Sequence, residues 1–317
     1  MKNKITSKLL LILVFALFVG MALGSGSKDE DSGKKEIVDS EESEEDTEAE
    51  EEDKASVPEE EAEEAEGEME AVTIEEQVLV EQDGIKITAT EMTEDSFWGQ
   101  GVMLLIENDS DKNISVGCKA LIINDYMITD LFSTSVAAGK KVNEPMYFTS
   151  RQLKAAGITN VGQIEMYLHI TDKDSWTTLF DSECIVIQTS AYEHMDTEIE
   201  VEGKELYNQD GIRIVGQYVD ENSFWGTAVL LYTENTSGKN VKISCDNMSI
   251  NGFMVSPIFS STVYDGKKSF DDITIFSSDL EQNGIEAVEE IELSFEILDP
   301  DNYNEIAKSD AISFSVN

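Results

Sequence analysis

The amino-acid sequence predicts an all-β protein: two tandem β-sandwich domains, each with one short helix, behind a disordered acidic spacer. Three observations carry this. A unit of about 110 residues occurs twice. Its apolar residues alternate with the period of a strand. Turn residues interrupt it at the short intervals typical of sandwiches.

The duplication is direct. QDGIKI at 82–87 returns as QDGIRI at 209–214, and SFWG at 96–99 returns at 223–226. The offset is 127 throughout, and about 39 of the 104 positions from Gln82 to Ile185 are identical to their counterparts without a gap. The expected organisation is a signal peptide over 1–24, a spacer over 25–72, a first sandwich over 73–190, a linker over 191–203 and a second sandwich over 204–317.

Lys2, Lys4 and Lys8 precede an apolar run from Leu9 to Val19, and Ala22-Leu23-Gly24 offers small residues for cleavage before Ser25. That is the pattern of a secretory signal peptide, and the run is short for a membrane span. The leader resembles that of bacterial lipoproteins, but Ser25 stands where the lipidated cysteine belongs. A hydroxyl cannot replace that thiolate, so release to the exterior is expected, with surface retention as the alternative.

Residues 28–70 carry 23 acidic and four basic side chains and no aromatic. Such a segment buries too little apolar surface to offset its ordering entropy and should stay disordered. The whole chain has a net charge of −44. A field of that sign repels phosphate backbones and anionic lipid, which argues against nucleic-acid and membrane-surface binding.

Within each unit, GIKIT and GIRIV open strands, and GVMLLIEN and AVLLYTEN read as central strands. Asn251-Gly252 between MSI and FMV suits a type I′ hairpin, and Asn124-Asp125 is its counterpart. Short helices should follow Ser150 and Ser277 or Ser278, ending at Gly157 and Gly284. Ile164, Met166, Leu168 and Ile170 define a buried strand face, with Glu165, Tyr167 and His169 facing outward. Final strands run near ECIVIQ and AISFSV. With one core each, the two units should fold independently.

The landmarks DGI, EN…S…KN, the hairpin, GKK and S…L…GI in both copies resemble immunoglobulin-like domains of unknown function. Such domains occur, often duplicated, in secreted and lipoprotein-type proteins of Gram-positive bacteria. The resemblance implies an extracellular accessory or binding role and no catalytic residues.

Chemistry-bearing motifs are scarce. The histidines are His169 and His194, and neither neighbours a nucleophile in any recognisable motif. Cys118 and Cys245 are repeat equivalents, whereas Cys184 corresponds to Ala311. They read as small buried residues, and a Cys118–Cys184 bridge is the alternative. Asp172 and Asp174, with Asp299 and Asp301, place carboxylates at alternating turn positions, so each set reads as a hairpin turn or a calcium site. Trp176 and Tyr303 occupy the position where a calcium loop needs a further oxygen ligand. Phe97-Trp98 and Phe224-Trp225 are either end-caps of the core or exposed aromatics that stack on a sugar or anchor a protein.

The expected function is therefore non-enzymatic binding or adhesion outside the cell, toward an extracellular glycan or protein. An accessory subunit binding through a strand edge is the second reading, and a carboxylate-based hydrolase the third. No cofactor beyond calcium is implied.

Overall fold

The computed structural model describes residues 34–38, 71–148, 150–195 and 199–316. The expected signal peptide, the expected cut before Ser25 and most of the expected spacer lie outside the described residues. The described residues fall in one compact unit.

In chain order, β1 (Lys34–Val38) lies in the acidic spacer. The first copy contains β2 (Gln77–Gln82), β3 (Ile85–Asp95), β4 (Gly99–Asn108), β5 (Ile114–Ile123), β6 (Tyr126–Ile128), β7 (Ser133–Val136) and β8 (Lys140–Tyr147). It continues with α1 (Ser150–Ala155), β9 (Gln163–Asp172), β10 (Thr177–Asp181) and β11 (Ile185–Gln188). The second contains β12 (Lys204–Gln209), β13 (Ile212–Ser223), β14 (Gly226–Asn235), β15 (Val241–Ile250), β16 (Phe253–Met254), β17 (Ser260–Val263) and β18 (Lys267–Phe276). It closes with α2 (Ser277–Asn283), β19 (Glu290–Leu298), β20 (Glu305–Lys308) and β21 (Ile312–Val316). Every element of copy 1 but β10 begins 127 residues before its counterpart in copy 2, and β10 begins 128 before β20.

Each copy is a two-layer sandwich. In copy 1 the sheet β2-β3-β4-β8 faces a sheet centred on β5 and β9. In copy 2 the sheet β12-β13-β14-β18 faces one centred on β15 and β19. The alternation expected for β9 holds on its inner side, where Ile164, Met166, Leu168 and Ile170 are fully buried.

The repeated landmarks have local physical causes. Asp83-Gly84, Asp210-Gly211, Asn124-Asp125 and Asn251-Gly252 all have positive φ at both residues, as type I′ hairpins require. EN…S…KN centres on a buried asparagine. Asn108 Nδ2 donates to Lys112 O at 2.8 Å and Val136 O at 3.0 Å, while its Oδ1 accepts from the amide and hydroxyl of Ser110. Asn235 makes the same four bonds with Lys239, Val263 and Ser237. Each asparagine thus ties a central strand to the facing sheet.

The helix ends are mixed. Gly284 adopts the left-handed conformation and closes α2, as expected. The expected serine cap is not formed there: Ser277 already lies inside the helix, and Phe276 precedes it without a side-chain cap bond. The Ser150 cap falls on a side chain outside the described set.

Three expectations are corrected. First, the spacer is not structureless throughout. Lys34, Lys35 and Glu36 pair antiparallel with Asp220, Val219 and Tyr218 of β13, and Ile37 and Val38 pair with Val316 and Ser315 of β21. Ile37 is buried in the core of copy 2, and Lys35 reaches Glu221 at 3.0 Å. In copy 1 the equivalent place beside the last strand belongs to the segment just before β2, where Ser190 N donates to Thr73 O at 2.8 Å. The corresponding segment of copy 2 is drawn elsewhere. Ile199 lies against Gly157, and Met195 covers Gly162 so closely that a Cβ there would meet it at 2.4 Å. With its own leading segment packed on copy 1, the second sandwich is completed by β1.

Second, the copies are not independent. β6 pairs in parallel with β18, Lys268 opposite Tyr126 and Ser269 opposite Met127. Val215, Leu230, Tyr232 and Phe270 of copy 2 belong to the same apolar cluster as the core of copy 1. Third, the outer side of β9 is not a solvated polar face. Glu165 is buried, and its Oε1 accepts from Lys267 Nζ at 2.5 Å. Copy 2 covers that face.

Candidate functional site

The aromatic pairs sit at the tips of the β3–β4 and β13–β14 hairpins. Phe97 and Trp98 are 62% and 46% exposed, and Phe224 and Trp225 are 72% and 45% exposed. They are not core. In each pair the rings meet edge to face, with centroids 4.9 Å apart in copy 1 and 4.8 Å in copy 2, an arrangement that aromatic quadrupoles favour. Trp98 also stacks on Tyr147 at 6.4 Å.

The tip of copy 1 is built by Asp95. Its Oδ1 accepts from Phe97 N at 2.8 Å and Trp98 N at 2.9 Å. These bonds, Trp98's first, hold the Asp95 carboxyl below the usual carboxylate range. Copy 2 has Asn222 there, whose backbone N–H instead donates to Asp220 Oδ1 at 2.9 Å. Gly226 then turns the chain at φ 139°, where a Cβ would fall 2.3 Å from Ile275 O. The exposed tips are held by backbone turns rather than by burial of the rings.

The acidic turns use their carboxylates internally. Asp172 Oδ1 accepts from Asp174 N at 3.0 Å and Ser175 N at 3.1 Å. The Ser175 bond, then that from Asp174, lowers its pKa. Asp174 Oδ2 accepts from Asn113 at 3.1 Å. In copy 2, Asp299 Oδ1 accepts from Asp301 N and Asn302 N. Among the described residues no group of three or more His, Cys, Asp or Glu side chains is placed to hold a metal ion. Cys118, Cys184 and Cys245 are free thiols. Burial pushes both Cys118 and Cys245 up to about 12, so these two are poor nucleophiles at neutral pH. His169 contacts Asp181 on the outside of the sheet.

The junction between the copies is a feature that linear reading missed. Lys267 Nζ lies 2.7 Å from Asp125 Oδ1 and 2.5 Å from Glu165 Oε1. Burial opposes its charge, but the two carboxylates together raise the Lys267 pKa. Tyr126 stacks on Phe270 at 5.9 Å, and Tyr167 meets Tyr264 at 5.1 Å. Gln152 Nε2 donates to Phe270 O at 3.1 Å. A cleft of about 370 Å³ opens beside these contacts, lined by Thr129, Gln152 and Ala155 of copy 1 and by Phe270, Asp271 and Asp272 of copy 2. Burial raises the pKa of Asp271, whose Oδ2 accepts from Ser261 at 2.6 Å. A signal for this junction was present where the copies differ. Phe270 and Tyr264 stand against Asn143 and Ala137, and Asp125 against Gly252. An apolar residue gained, or a glycine lost at a positive-φ position, marks a surface with a new neighbour.

No protein-family model matches the chain, and no curated protein matches it. Among solved structures, the Salmonella enterica SafA pilin in complex with the SafB chaperone aligns over 74% of this chain and 98% of that chain. The identity is 11% and the TM-score 0.24, a likeness too slight to carry an argument about this protein.

Proposed function

We propose that this is a secreted or cell-surface, non-enzymatic binding protein whose contacts are made by the hairpin tips Phe97-Trp98 and Phe224-Trp225. The observation that carries the reading is their exposure in both copies. Large aromatics cost free energy in water, and a rigid edge-to-face pair on a turn offers flat apolar area with little entropy left to lose. An extracellular glycan or a protein surface is the matching ligand chemistry. Two such tips in one chain permit two-point attachment, which raises avidity when the ligand spacing suits. The acidic spacer and the leader support an exterior location.

A glycan and extracellular-protein binding screen with the full chain tests this, repeated with Trp98→Ala and Trp225→Ala. Loss of a captured ligand in either variant is expected. Undiminished binding by the double variant would refute the role of the tips.

An accessory subunit acting through a strand edge is a second reading, because the chain itself adds β6 to the edge of β18. The corresponding edge of copy 1, β8, carries Lys140, Lys141, Glu144 and Pro145. Charges and proline guard a strand edge against indiscriminate pairing, so this reading demands a short, specific partner.

A further inference from the structure

The contact between the copies is heterologous: the β5–β6 hairpin of copy 1 meets the β18 edge of copy 2. Because the copies are equivalent, each also carries the other half of that contact. Copy 2 has the hairpin β15–β16, and copy 1 has the edge β8. Among the described residues β16 pairs with β15 alone, and β8 with β4 alone. Phe253 and Met254, the counterparts of Tyr126 and Met127, are 49% and 63% exposed.

We propose that chains associate head to tail, the β15–β16 hairpin of one chain docking on the β8 edge of a second copy. The contact within the chain supplies the register. Phe253 would lie opposite Lys141 and Met254 opposite Val142, as Tyr126 and Met127 lie opposite Lys268 and Ser269. Several components carry over. In the chain, Lys268 N donates to Asp125 O at 3.0 Å, and Lys141 N offers the same donor to Gly252 O. Lys268 Nζ sits 5.5 Å from the Tyr126 ring, and Lys141 can sit likewise over Phe253. Lys140 replaces Lys267 and meets Glu292 in place of Glu165. Pro145, which lacks an N–H, lies beyond this two-residue register.

Other components are lost. Asn143 stands in place of Phe270, Ala137 and Ser294 in place of Tyr264 and Tyr167, and Gly252 in place of Asp125, so both ring contacts and one ion pair have no equivalent. The tether is also absent. The association is thus weaker than the contact within the chain, and a heterologous contact that does not close generates an open series of chains.

Sedimentation velocity of the full chain, from about 5 to 500 μM, tests this. The net charge of −44 opposes self-association, so the series is run at 0.15 M and 1 M salt, where the Debye length falls from about 8 to 3 Å. Weight-average mass should rise with concentration past that of a dimer. Phe253→Asp blocks the hairpin end, and Lys141→Pro blocks the edge end by removing its outward N–H. Lys140→Glu serves as a second edge variant that leaves the backbone intact. Each blocked chain alone should stay monomeric, and an equimolar mixture of a hairpin-blocked and an edge-blocked chain should stop at dimers. A monomer at every concentration and both salts, a closed dimer of the unaltered chain, or association unchanged by Phe253→Asp and Lys140→Glu would overturn the proposal.

Discussion

Replacing Asn235 by alanine should destabilise the second sandwich by about 3 kcal/mol. The side chain is fully buried. It donates to Lys239 O and Val263 O, each at 2.8 Å, and accepts from Ser237 N at 3.0 Å and Ser237 Oγ at 2.7 Å. A typical hydrogen bond contributes about 1 kcal/mol net, and a buried group left without its partner costs about 1–3 kcal/mol. Ser237 borders solvent and can recover bonds to water, so its two bonds count for little. The carbonyl of Val263 lies in the strand facing the core and cannot recover so easily. Two donated bonds and one stranded carbonyl give the figure stated. Urea unfolding followed by circular dichroism measures it: with a slope of about 3 kcal/mol/M for a chain this size, the midpoint should fall by roughly 1 M. Asn108→Ala supplies an internal replicate, because Asn108 makes the same set of bonds in copy 1. Asn235→Asp keeps the acceptor but removes both donors and faces two carbonyls with a charge, so it should be at least as damaging. A loss under about 1 kcal/mol for both alanine variants, or an aspartate variant as stable as the parent, would show that the asparagine does not join the sheets.

Ile37→Asp places a charge in the core of copy 2 and should strip β1 from its seat. A drop of at least about 2 kcal/mol is expected from the lost burial, with cleavage of the 34–38 segment by protease as a direct readout. Trp98→Ala and Trp225→Ala should each change stability by less than about 1 kcal/mol, because the rings are exposed. A large loss of melting temperature would show them to be structural. Lys267→Ala leaves Asp125 and Glu165 facing each other at the junction, and should cost about 2–3 kcal/mol. The Lys267 pKa is raised in the folded chain. Its contribution is therefore complete below the ordinary lysine range near 10.5 and is lost as pH rises through the folded value. Alkaline unfolding should begin at lower pH in Lys267→Met than in the parent, and identical alkaline profiles would count against the ion pair.

The duplication, the strand faces and the hairpin turns were legible in the sequence because each depends on neighbours along the chain. A period of two places Ile164, Met166, Leu168 and Ile170 on one side whatever the surroundings. Asp-Gly and Asn-Gly select a turn through their own φ preferences. Even the inter-sheet asparagine announced itself as EN…S…KN, since Asn108 bonds Ser110 and Lys112 within four residues.

What the chain order could not reveal were contacts between residues far apart. Lys267 meets Asp125 across 142 residues, and that meeting buries Glu165 on a strand face whose pattern alone reads as solvated. β1 is five residues in an acidic run, and only the vacancy beside β13 and β21 gives KKEIV a reason to be a strand. The hairpin aromatics likewise have the composition of a core and the position of a surface. Local periodicity specifies which way a side chain points; what lies in that direction is set by the packing of whole sheets, and here one copy of the unit is covered where the other is left open.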